Sequence, residues 1–118
     1  MMIVEMIEKD DLEDDFPIIN YEKCFKLVKD GKKIGIGAIN IDKENLIYIY
    51  IKQELRGNGY GKFLFSKVLD EVKKSGNREA RLAFSKDNIQ MIKIVNDNGG
   101  IHVSTNKNII KYVIPLIF

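Results

Sequence analysis

The chain has 118 residues, 45% hydrophobic and 31% charged, with a net charge of +2. That is one domain with enough chain for a real core, and the composition excludes a disordered or low-complexity protein. No apolar run approaches the about 20 residues of a membrane span, and the opening MMIVEMIEKDD has no basic n-region and no cleavage-site pattern of a signal peptide, so a cytoplasmic protein without a membrane partner is expected.

MIVEMI (2–7) reads as a first strand. Residues 8–22 are acidic and broken by Pro17, so they read as loop or a short helical turn. The charge is uneven: residues 1–22 carry eight acids against one lysine, and residues 23–118 carry nine acids against eighteen bases. A solvated loop explains the acids; an acidic flap for a cationic ligand beside a basic body for an anionic one is the sharper alternative. The bases do not cluster with interleaved aromatics, so no nucleic acid is expected as partner. CFKLVK (24–29) reads as a strand, Asp30-Gly31 as a turn, and IGIGAINI (34–41) as the returning strand. Gly35 and Gly37 within it point to a bulge or a close backbone approach. After a turn at 42–45, LIYIYI (46–51) is β-branched and aromatic, as strands prefer.

The stretch ELRGNGYGKFLF (54–65) then opens a helix over 60–75. Leu64, Phe65, Val68, Leu69 and Val72 give it one buried face, and Gly76 stops it. ARLAFS (80–85) reads as a buried strand. Asp87 or Asn88 caps a second helix to about Asn96, ended by Asn98-Gly99-Gly100. Strands around 101–105 and 109–114 complete the order β-β-β-β-α-β-α-β-β, an α/β (α+β) domain with a largely antiparallel first half. Pro115 indicates that the last strand finishes at an edge or a bulge.

Gly57, Gly59 and Gly61 stand where the second half of the chain meets its first helix. Glycines there expose unpaired N–H groups at the positive end of the helix, a nest suited to phosphate. Arg56 and Lys62 flank it with full charges. A nucleoside triphosphate loop requires Gly at 56 and Ser or Thr at 63, where the chain has Arg56 and Phe63. A dinucleotide fingerprint fails at Lys62 or Leu64, according to its starting glycine. One cysteine (Cys24) and one histidine (His102) make no disulfide and no protein zinc site, so no metal is expected. Cys24 reads as a packing residue and His102 as an ordinary, partly buried one.

Arg56-Gly57-Asn58-Gly59-Tyr60-Gly61 resembles the acetyl-CoA loop of the GCN5-related N-acetyltransferases (GNAT superfamily), [RQ]-x-x-G-x-[GA]. The preceding Ile51-Lys52-Gln53-Glu54-Leu55 is similar to the family's strand end, with Gln53 in place of the usual proline. The run from Asn88 to Asn98-Gly99-Gly100 resembles the family's second helix, and Lys111–Ile114 its last strand. The resemblance covers 24–114 and implies the GNAT fold, with a V-shaped opening between strands 46–51 and 80–85. It implies acetyl-CoA as cosubstrate: backbone groups of Ile49 and Ile51 on the pantetheine arm, Arg56–Gly61 on the pyrophosphate, and Asn88 near the thioester. The implied chemistry is direct attack by an amine of a small molecule or peptide. It needs a path for the amine proton and an acid for the thiolate.

Two departures stand out. The family's tyrosine, seven residues after the Asn, is Val95 here, so either the CoA thiolate takes its proton from water or another hydroxyl acts, with Ser85 and Tyr112 as candidates. Residues 8–22 are too short for the two helices that wall the amine site in most members, so this is a short member with a reduced N-terminal helical region. Glu44, Asp42, Tyr48 and Tyr50 are the candidate bases, although the turn position of Glu44 favours a solvated surface acid. A homodimer is expected from the apolar tail Val113–Phe118 and from the short amine wall. The alternative reading is a non-catalytic acyl-CoA-binding or regulatory module of the same fold.

Overall fold

A computed structural model describes residues 2–7, 23–41 and 44–116. The acidic segment 8–22, Asp42 and the last two residues lie outside the described residues. Seven strands form one sheet: β1 (Met2–Ile7), β2 (Lys23–Lys29), β3 (Lys32–Asn40), β4 (Leu46–Ile51), β5 (Glu79–Ser85), β6 (Ile101–Asn106) and β7 (Ile109–Pro115). Helix α1 (Tyr60–Lys74) follows β4 after a short 3-10 turn, and α2 (Ile89–Asp97) follows β5. The spatial order is β1-β2-β3-β4-β5-β7-β6. All neighbours are antiparallel except β4 and β5.

Local chemistry explains most of the boundaries. Asp30 and Gly31 both take positive φ, 52° and 80°, the two-residue turn that matches the twist of a hairpin. Gly76 (φ 79°) ends α1, its N–H donating to Lys73 O at 3.0 Å. Asn88 caps α2, its Oδ1 accepting from Met91 N at 3.1 Å. Replacing Asn88 with alanine is expected to cost about 1 kcal/mol of stability through that cap, read as a lower urea midpoint with an unchanged slope.

The core lies between the sheet and the helices. Leu64, Phe65 and Val68 are fully buried and join Met91 and Val95 of α2, Leu82 of β5 and Ile114 of β7 in one cluster. Both expectations for β3 are met. The β2–β3 register shifts between Leu27 and Val28, which is the bulge. A Cβ on Gly37 would stand 2.6 Å from Val68 Cγ2, and one on Gly35 2.6 Å from Ile51 Cδ1, which is the close approach of β3 to α1 and β4.

Two expectations are corrected. The last strand is interior, between β5 and β6. Pro115 is tolerated there because β6 starts opposite Val113, so Pro115 runs past its end. Within the described part of the tail, Ile114 and Leu116 are not exposed as an apolar patch requires: they are 1% and 6% exposed, packed into the core. These two side chains are therefore unavailable to a contact between copies, and Ile117 and Phe118 lie outside the described residues.

Candidate active site

The parallel β4–β5 pairing holds at two positions only, Leu46 with Arg81 and Ile47 with Leu82. Beyond them the strands part, which is the V-shaped opening. Backbone direction within β4 follows from its two ends. Arg81 N donates to Asn45 O at 3.2 Å, and Lys52 N donates to Ile34 O at 3.0 Å. Even-numbered residues therefore bond toward β3 and odd-numbered ones face β5. The N–H and C=O of Ile49 and Ile51 consequently point into the gap that β5 has left.

At the open end of the V lies a groove of about 860 Å³. Its near wall is the glycine loop and the start of α1. Gly57 and Gly59 have φ of 85° and 82°, and Gly59 is the N-cap of α1, with no side-chain cap. The first helical bond is Phe63 N–H to Gly59 O, so the N–H groups of Tyr60, Gly61 and Lys62 have no acceptor within the helix. No acid lies in the first turn, and Lys62 stands beside these donors. The loop thus presents N–H groups, a helix dipole and a cation to one point in the groove, as a phosphate ester requires.

The structure brings Ile49, Ile51, Arg56, Gly57, Gly59 and Tyr60 into the groove lining. Gly61, Lys62 and Asn88 join them, with Tyr50 and Ser85 of the hydroxyl candidates. Asn58 stands apart from the lining, and its Nδ2 donates to Leu55 O at 3.0 Å to brace the turn. Arg56 bends back onto β4. Its Nε donates to Ile51 O at 2.9 Å, and its guanidinium lies 5.3 Å from the centre of the Tyr50 ring. The Ile51 carbonyl, one of the groups facing the gap, is therefore engaged by Arg56. Ser85 Oγ accepts from Asp87 N at 3.2 Å in the turn that leads to Asn88.

Several candidates fall elsewhere. Glu44 stands at the closed end of the V, before β4, and pairs with Arg81 Nε at 2.5 Å. The length of β4 separates it from the loop, about 17–20 Å at 3.3 Å per residue. Its carboxylate is solvent-exposed and is spent on an ion pair, so Glu44 is outside the groove. Tyr112 is buried, stacked on Phe84 at 5.7 Å, and belongs to the core. His102 is exposed on the edge strand β6, its Nε2 2.8 Å from Thr105 Oγ1. That corrects the expectation of a partly buried ring. Cys24 is 1% exposed and packs as expected. Val95 is fully buried, and the line of α2 along the groove runs through Gln90, Lys93, Ile94 and Asp97. A hydroxyl at 95 would point into the core of this chain.

These α2 residues, with Ile89, Met91 and Leu55, are site residues that the sequence reading passed over. Their three- and four-residue spacing marks one helix face, but nothing local says which partner that face meets. Among the described residues no group of three or more His, Cys, Asp or Glu side chains can hold a metal ion. Among them, too, no helix is long and apolar enough to cross a membrane.

The description "Acetyltransferase (GNAT) family" matches residues 3–97. The chain belongs to the GNAT acetyltransferase family, and its sheet with the parted β4 and β5 is the GNAT fold. No curated protein matches the sequence. Among solved structures it is similar to an IAA acetyltransferase from Bacillus cereus (TM-score 0.80, 12% identity, 98% of this chain and 100% of that one). It is also similar to the ribosomal-protein-S18-alanine N-acetyltransferase of Escherichia coli (TM-score 0.80, 18% identity, 98% and 94%). A Bacillus subtilis acetyltransferase in complex with CoA matches over 80% of this chain and 77% of that one (TM-score 0.68, 13% identity).

Proposed function

We propose that the chain transfers an acetyl group from acetyl-CoA to an amine of a small molecule or peptide, without a covalent enzyme intermediate. The observation that carries this reading is one groove holding both the uncapped N-terminus of α1 and the gap-facing backbone of β4. The N–H groups of Tyr60, Gly61 and Lys62 bind the pyrophosphate. The N–H and C=O groups of Ile49 extend the sheet onto the pantetheine arm. Asn88 keeps its Nδ2 donors for the same arm while its Oδ1 caps α2. The amine nitrogen attacks the thioester carbonyl, the C–S bond breaks, and the thiolate leaves. Tyr50 and Ser85 are hydroxyl residues of the groove lining, and we assign to them the movement of the amine and thiol protons. The acidic segment 8–15 supports a cationic acceptor through its charge alone.

Calorimetric titration of acetyl-CoA, followed by CoA release across a panel of primary amines, tests the reading. Binding with turnover is expected. Tyr50→Phe is expected to lower kcat by about tenfold or more with little change in acetyl-CoA affinity, the pattern of a lost proton-transfer group. A second reading, an acyl-CoA-binding module without turnover, is favoured by the burial of position 95. Tight binding with no CoA release on any amine would select it. A chain that does not bind acetyl-CoA sinks both.

A further inference from the structure

Lys29 ends β2, 31 residues before Tyr60, and lies outside every motif in the sequence. The fold sets its Nζ 2.7 Å from Tyr60 Oη and 5.1 Å from the centre of that ring. We infer that Lys29 is a positioning residue for cofactor binding, holding the Tyr60 phenol as a hydrogen-bond donor to the phosphates of CoA. The inference rests on the acetyl-CoA reading above.

Hydrogen-bond polarity drives it. An ammonium has three donors and no acceptor, so Tyr60 Oη must accept from Lys29. The phenol's own proton is then free to point elsewhere. Tyr60 is the first residue of α1, between Gly59 and Gly61, and it lines the groove, whereas Lys29 does not. A donor carried on that residue would add to the N–H groups of the nest once a phosphate is bound. A hydrogen bond donated to a hydroxyl strengthens the one that hydroxyl donates, so Lys29 makes the phenol a better donor. The hydrogen bond to Tyr60 also raises the Lys29 pKa above the ordinary lysine value, so the cation persists throughout the neutral range. Arg56 is turned onto Ile51 O and Tyr50, which gives a second cation behind the loop more weight in the electrostatics of the nest.

The test compares CoA with pantetheine, which carries no phosphate, on the wild type, Lys29→Met, Lys29→Arg, Tyr60→Phe and the Lys29→Met/Tyr60→Phe double variant. Calorimetry reads CoA affinity and NMR titration reads pantetheine. Lys29→Met is expected to weaken CoA about tenfold, to leave pantetheine unchanged, and to be restored in large part by Lys29→Arg. The double variant is expected to bind CoA no more weakly than Tyr60→Phe, since Lys29 acts through the phenol. CoA binding unchanged in Lys29→Met overturns the inference. So does an equal loss for pantetheine, which marks a merely structural contact, or additive losses in the double variant, which mark direct phosphate contact by Lys29. Wild-type protein that fails to bind CoA removes the acetyl-CoA reading itself and this inference with it.

Discussion

Gly37→Leu is expected to lose at least about 3 kcal/mol of stability, seen as a melting temperature lower by about 10 °C or more. Gly37 sits on the face of β3 that meets α1. A Cβ there would stand 2.6 Å from Val68 Cγ2, and 3.4 Å from both Ile49 Cδ1 and Leu64 Cδ1. Val68 and Leu64 are fully buried in the second and third turns of α1, so they cannot swing aside. The helix must lift from the sheet, and every contact of its apolar stripe loosens with it. Ser66→Leu, on the exposed side of the same helix, adds a similar side chain and is expected to shift stability by less than about 0.5 kcal/mol. A Gly37→Leu protein melting within about 2 °C of wild type would show that α1 does not press on β3 as described.

Gly61→Leu is expected to do the opposite: to fold at least as well as wild type and to lose CoA. Gly61 lies inside α1 and is not among the residues with positive φ, so a side chain there gains the about 1 kcal/mol that glycine forfeits in a helix. Its Cβ position is 3.8 Å from Ile51 Cγ1 and 3.9 Å from Ile94 Cδ1, ordinary contact distances in the crevice between β4 and α2. A leucine extends from there into the groove where a phosphate must reach the N–H groups of Tyr60, Gly61 and Lys62. Affinity for CoA is expected to fall by at least about a hundredfold, near 2.7 kcal/mol, while the melting temperature stays level or rises. Calorimetry and a thermal melt on the same sample separate the two effects. Binding within about threefold of wild type would place the cofactor elsewhere and undo the assignment of this nest.

Much of the architecture was legible because its causes are local. The Asp30-Gly31 turn, the Gly76 stop and the Asn88 cap each depend on two to four consecutive residues whose backbone preferences are strong. The nest is equally local: two glycines before an amphipathic helix and a third in its first turn dictate an uncapped N-terminus, and Arg56 and Lys62 dictate its sign. The strand order along the chain also followed, since each strand carried its own β-branched or alternating pattern.

What failed to follow was whatever depends on which strand lies beside which. Glu44 read as either a base or a surface acid, and only the pairing of β4 with β5 shows it to be at the closed end, held by Arg81. Pro115 read as an edge signal, yet β7 is inserted between β5 and β6 and the proline merely outruns its neighbour. The tail residues Ile114 and Leu116 read as a patch, and the same insertion buries them.

The sequence by itself determined the elements, the glycine nest at the start of α1 and the family. These rest on backbone propensity, periodicity and a six-residue motif, all written within short stretches of chain. Tertiary structure alone decided the parting of β4 and β5, the membership of the groove, the burial of Val95 and the meeting of Lys29 with Tyr60. Each of these joins residues far apart in the chain. Their distance is set by the packing of the whole sheet against α1 and α2, a sum over many contacts that no local pattern encodes.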